Sequence, residues 1–324
     1  MMKKNVIFVS IAVAVWAAFA TMPAGADICQ RRARRCSTPP RPAAKAAQTE
    51  RAVAAARRLE PGERIVVPIA YHVVYGSYGT WANDEPDDLA HAPALELTDR
   101  QTAALNRAFR RTGISFVTVD AEIRDFAPWS EPERLGKPSV EELQAMLHDL
   151  TADSPGVLHV FLMREAENRA APAESRSIFD GEGEDGIIMN WDYLPYVEGL
   201  HPGADRKFRR LYFEGETLVH LVGHYAGLRH TFEAADGDCT ESCAQTTDYV
   251  RDTPPHRWLY DDDGLCVPLD TCKAAPGLDP TTNYMNLEPD LCASEFTPGQ
   301  VERMQRMVRL YRPNLIEPAP AGSP

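Results

Sequence analysis

Three of the nine histidines fall in one stretch, His220-Leu221-Val222-Gly223-His224-Tyr225-Ala226-Gly227-Leu228-Arg229-His230. His220 and His224 are four residues apart, so on a helix over 217–226 both imidazoles project from one face. Gly227 ends that helix, because a residue without a Cβ reverses the backbone cheaply. The reversal brings His230 back beneath the first two. Three neutral imidazoles that converge and leave a fourth position open are the ligand set of a catalytic zinc site, where the metal acts as a Lewis acid. A histidine pair alone on a helix is a weak signal. The glycine and third histidine at these spacings make chance a poor explanation.

Such a helix needs a scaffold. Arg64 to Tyr75 (RIVVPIAYHVVY) is rich in β-branched and aromatic residues and predicts a strand, with His72 on a sheet face rather than in a ligand set. Gly76 to Leu97 is polar and interrupted by prolines, hence loop. Thr98 is expected to cap a helix from Asp99 to about Arg111, with Leu105 and Phe109 on its inner face. Gly113 stops it, and Ile114 to Val119 is the next strand. Ser139 with Glu142 forms a capping box for a helix running to about Leu150. Val157 to Met163 is nearly all apolar, which suits a central strand covered on both faces. Ser175 to Asp185 reads as loop, Gly186 to Asn190 as a short strand, and Trp191 to Gly203 as an irregular rim over a cleft. Strands alternating with helices predict an α/β (α+β) domain with a mixed, mostly parallel sheet. Residues 232–283 are dense in Asp, Pro, Gly and Cys, which predicts long ordered loops held by disulfides or ions. A last helix from about Pro298 to Tyr311 is capped by Thr297 with Gln300, and turns Val301, Met304, Val308 and Leu310 inward. The chain after Pro313 reads as a disordered tail.

Lys3 and Lys4, the apolar run Val6 to Ala20 and the small residues Ala24-Gly25-Ala26 predict a signal peptide over 1–26 and therefore secretion. That run is too short to span a bilayer comfortably, and no later run is long enough, so no stable membrane insertion is expected. A net charge of −13 argues against non-specific nucleic-acid binding. Seven cysteines in an exported chain suggest disulfides with at least one thiol left over. Residues 27–61, Arg-rich and then Ala-rich, read as a helical or disordered pro-segment or N-terminal extension, 62–316 as the domain proper, and 317–324 as the tail. Nothing in the sequence sets the oligomeric state.

Further motifs follow the histidines in order: Asp248-Tyr249-Val250-Arg251-Asp252-Thr253-Pro254, Asn283-Tyr284-Met285, and Phe296-Thr297-Pro298-Gly299-Gln300 with Arg303-Met304. From about 64 to 307 the chain resembles the pappalysin-type metzincins, secreted zinc metalloendopeptidases whose histidine motif is H-E-x-x-H-x-x-G-x-x-H. The resemblance implies a two-part domain, with an upper mixed sheet over the zinc helix and an irregular disulfide-bonded lower subdomain. It implies zinc on His220, His224 and His230, Met285 as an apolar floor under the metal, and a polypeptide as substrate or ligand. It also implies the pairs Cys243–Cys272 and Cys266–Cys292, leaving Cys29, Cys36 and Cys239 unassigned. Arg35-Cys36-Ser37-Thr38 is similar to the family's cysteine switch, in which a thiolate occupies the zinc until the segment is cleaved. A Cys29–Cys36 disulfide is the equal alternative. Asp248 and Asp252, with the Thr253 hydroxyl or nearby carbonyls, could hold a calcium ion, the other reading being solvated surface acids.

Two positions depart from the family pattern. Leu221 stands where the resemblance expects the glutamate that moves the proton, and Leu287 where it expects an oxyanion-stabilising tyrosine. A general base is commonly worth roughly 10² to 10⁴ in rate and an oxyanion donor roughly 10² to 10³. Both losses strike transition-state groups while every metal ligand remains. Glu214 and Glu216 lie before the helix and one turn upstream of His220, so nothing promotes either as a replacement for the missing carboxylate. Three readings follow: a zinc-binding pseudoprotease with weak or lost hydrolysis, an active endopeptidase using another proton acceptor, or a purely structural or inhibitory module whose Cys36 permanently caps the metal. The pattern of losses favours the first.

Overall fold

The structure is a computed structural model that describes residues 43–75, 92–125, 145, 148–149, 153–163, 174–176, 186–190, 193–195, 214–232, 243, 248–257 and 266–318. The predicted signal peptide, Cys29 and Cys36, Cys239, and most of the helix expected over 139–150 lie outside them.

The upper half is a six-stranded sheet. Strands β1 (Arg64–Tyr75), β2 (Ile114–Asp125), β3 (Leu158–Met163), β4 (Glu174–Arg176) and β5 (Gly186–Asn190) stand in the order β2-β1-β3-β5-β4, and β6 (Ile316–Glu317) pairs with β1. The β1/β2, β1/β3 and β3/β5 pairs are parallel, whereas β4 and β6 join antiparallel. Pro68, which has no N–H for a ladder, sits just before β3 joins β1, and the β1/β2 register shifts immediately after it at Ile69/Ala70. Ile65, Val67, Ile69, Tyr71 and Val73 alternate onto one buried face of β1. On that face they join Leu105 and Phe109 of α2 (Ala92–Phe109) and Leu218, Val219 and Val222 of α3 (Glu216–Tyr225) in one apolar core. Burial of each such side chain contributes roughly 1.5–3 kcal/mol, so α3 is held by its apolar face rather than by its ten-residue length. The opposite face of β1 carries His72, buried and bonded to Glu122 Oε1 at 2.7 Å and to His159 at 2.9 Å.

Several expectations change. Helix α2 starts seven residues before Asp99, inside the expected loop, and Thr98 is an interior residue whose hydroxyl donates to the Leu95 carbonyl at 2.7 Å. A threonine can satisfy its hydroxyl either by capping or by bonding back one turn, and here it does the second. Strand β2 continues to Asp125 because β1 offers partners along its whole length. The loop expected from Ser175 contains part of β4, which is too short to leave a periodic signal. The tail is ordered through Glu317: a 3-10 turn at Pro313–Leu315 leads into β6, and Glu317 accepts from Arg64 at 2.6 Å. In the last helix, α4 (Pro298–Tyr311), the capping box of Thr297 and Gln300 is formed, but Leu310 is exposed and Met307 takes the buried place. Within the N-terminal extension, α1 (Ala43–Ala55) is helical and lies against α4.

Candidate metal centre

Gly215, in the left-handed region at φ 87°, turns the chain into α3 and offers no side-chain cap. Asp290, 74 residues on, does this work: its carboxylate accepts from the Glu216 N–H and from the Thr217 hydroxyl, each at 3.2 Å. At the other end Gly227, at φ 95°, closes a Schellman turn. Its N–H reaches the His224 carbonyl at 2.8 Å, and the Leu228 N–H reaches Gly223 at 2.9 Å. That turn reverses the chain and delivers His230 to the first two histidines.

The three Nε2 atoms meet in a tight triangle, His224 lying 3.1 Å from His220 and 3.2 Å from His230. The Nδ1 of His220 donates to the Tyr284 carbonyl at 2.7 Å, and that of His224 to the Leu228 carbonyl at 3.1 Å. Carbonyls only accept, so both rings carry their proton on Nδ1 and point an Nε2 lone pair at the other. Lone pairs this close repel unless a cation sits among them. Tetrahedral zinc with bonds of about 2.0–2.1 Å would set its nitrogens about 3.3–3.4 Å apart, so the donor set fits the ion. Among the described residues, these three are the group of His, Cys, Asp or Glu that could hold a metal.

Met285 is fully buried, and its sulfur lies so close to α3 that a Cβ on Gly223 would stand only 2.3 Å from it. Leu221 is also fully buried, in the main apolar core. Leu287 is partly buried against the same core, and its N–H donates to the Asn286 side chain at 2.9 Å. Disulfides join Cys243 to Cys272 and Cys266 to Cys292, bracing the irregular part of the chain.

The carboxylates expected to hold calcium accept hydrogen bonds from protein donors. Asp248 accepts from the Val250 N–H at 3.1 Å and the Thr253 hydroxyl at 2.6 Å, and burial pushes its carboxyl up to about 6. Asp252 accepts from the Thr297 hydroxyl at 2.7 Å and the Gly299 N–H at 2.9 Å, so it secures the start of α4.

Glu216 is a further group that residue spacing alone did not single out. Its carboxyl, near the Arg107 guanidinium at 3.3 Å, is pushed up to about 7 by burial, with Asp290 and Glu214 adding and Arg107 opposing. A folded-state value above the unfolded 4.5 means that the contribution to stability is complete below about pH 4.5 and is lost as pH rises through about 7. In urea unfolding between about pH 5 and 8, the wild-type midpoint is therefore expected to fall relative to that of Glu216→Gln. Parallel curves would contradict this.

A helix bearing two histidines, a glycine turn bringing in a third, a buried methionine packed on that helix and a mixed sheet are the parts of a metzincin-type metallopeptidase fold. The chain belongs to the M43 peptidase, or pappalysin, family, whose profile is described as pregnancy-associated plasma protein-A and matches residues 212–309. An extracellular metalloprotease of Colletotrichum graminicola is 30% identical over 277 residues, covering 83% of this chain and 85% of that protein. A mutant of Tannerella forsythia promirolysin shares the fold with a TM-score of 0.58 at 21% identity, over 84% of this chain and 89% of that one. Mature mirolysin in complex with a cleaved peptide superposes with a TM-score of 0.52 at 21% identity, over 80% of this chain and all of that one.

Proposed function

We propose that this is a secreted metallopeptidase-family protein that holds zinc on His220, His224 and His230 and binds polypeptides, with peptide-bond hydrolysis weak or lost. The observation that carries the reading is Leu221, a fully buried isobutyl group directly after the first ligand. Zinc held by the three imidazoles supplies Lewis acidity, polarising a peptide carbonyl and acidifying water. The protein's own residues do the rest. Tyr284 and Leu228 carbonyls hold two imidazoles in the ligating tautomer, the Gly227 turn places the third, and Met285 packs on their helix. At 221 an alkyl group neither takes a proton from water nor returns one to a leaving amine, and at 287 an alkyl group donates nothing to an oxyanion.

Secretion is supported by the N-terminal pattern of Lys3, Lys4 and Val6 to Ala20, and by the extracellular designation of the fungal relative. In this reading residues 1–26 are a signal peptide and 62–316 the peptidase-like domain. This reading does not draw on calcium, and Asp248 and Asp252 accept from protein N–H and O–H groups. The experiment is a digest of denatured casein by the zinc-loaded protein. Fragment release close to the metal-stripped control is expected, and rapid fragmentation would favour an endopeptidase with another proton acceptor.

A further inference from the structure

Arg303 is far from the histidines in sequence, yet it touches the turn that places one of them. Its Nε donates to the Gly227 carbonyl at 3.0 Å, three residues before His230. Its two terminal nitrogens grip the carboxylate of Glu50 in α1, both at 2.6 Å. Arg303 is only 4% exposed, so the fork is sheltered from water and from salt. The same turn meets α4 a second time through Met307, whose side chain fills the space a Cβ on Gly227 would take. Met307 in turn packs on Val53 of α1. Helix α1 thus fixes the guanidinium, the guanidinium fixes the carbonyl of the turn, and the turn sets His230.

We propose that Glu50 and Arg303 are positioning residues for the third metal ligand, so that full zinc affinity requires α1 docked on α4. The inference rests on the zinc-site reading given above. It also divides the N-terminal extension: α1 stays with the folded unit, and any maturing cut falls upstream of Ala43. Partners one bond removed from a ligand commonly change metal affinity by roughly 10- to 100-fold, and the lower figure suits a link running through the backbone.

The test is zinc affinity of the full chain, measured by competition with a chromophoric chelator well below the melting temperature. Glu50→Gln is expected to bind zinc about tenfold more weakly, and so is Arg303→Lys, which keeps the charge but loses the fork. The double variant should be no weaker than either single one, because both break the same link. Phe161→Leu, in β3 and stacked on His72 on the opposite face of the sheet, serves as a control that lowers the melting temperature without touching the link. It should leave zinc affinity unchanged. Should Glu50→Gln fail to fold, Glu50→Asp replaces it with a severalfold loss expected. Wild-type affinity in the Glu50 variant, or an equal loss in Phe161→Leu, overturns the proposal. A wild-type chain that binds no zinc overturns the metal-site reading instead, and this inference with it.

Discussion

Leu221→Glu is expected to raise the peptidase rate of the zinc-loaded protein by roughly 10² to 10⁴, the usual worth of a positioned general base. The introduced carboxylate would take a proton from the attacking water and hand it to the leaving amine. Adding Leu287→Tyr should bring roughly a further 10² by supplying a donor to the oxyanion. The substitution also has a structural cost, because Leu221 is fully buried in the apolar core. An unpaired carboxyl placed there costs several kcal/mol if it stays dry, so the metal-free variant should melt earlier than wild type. Zinc should restore part of that loss by binding only the folded form. Steady-state cleavage of a quenched peptide, with melting curves in both metal states, measures both effects. A variant no faster than wild type at equal zinc loading would show that something other than position 221 limits the reaction.

Gly227→Ala is expected to destabilise the protein by about 2–5 kcal/mol and to weaken zinc binding as well. At φ 95° an alanine pays the left-handed penalty of roughly 1–2 kcal/mol. Its Cβ would also stand 2.6 Å from Met307, an overlap relieved only by moving α4 or the turn, for roughly 1–3 kcal/mol more. Moving the turn moves His230, so the two effects share one origin. Urea unfolding of the metal-free protein and a chelator titration separate them. A loss under 1 kcal/mol with unchanged zinc affinity would mean that the turn relaxes freely and does not set the ligand.

What could be read in the sequence was the local part. The helix of His220 and His224 announces itself by spacing, α4 by its capping box, and β1 by its wealth of β-branched and aromatic residues, because each signal lies within a few residues. The start of α2 was hidden because Thr98 has two ways to satisfy its hydroxyl, and only tertiary packing chooses between them. Strand β4 was hidden because three residues carry no period and exist only through pairing with β5. Asp290 capping α3 from 74 residues away, and Glu50 reaching Arg303 across 253, leave no trace in spacing at all. The engagement of Asp248 and Asp252 by neighbouring N–H and O–H groups was hidden for a related reason, since two acidic residues near a hydroxyl look alike on paper whatever faces them.

The account rests on three imidazoles forming one metal site, and the most direct test is the metal content of the purified full chain by elemental analysis. One zinc per chain is predicted for wild type, with near-zero content in His220→Ala, His224→Ala and His230→Ala. A wild-type protein that neither carries nor takes up zinc, or a variant that keeps its full equivalent, would contradict the account.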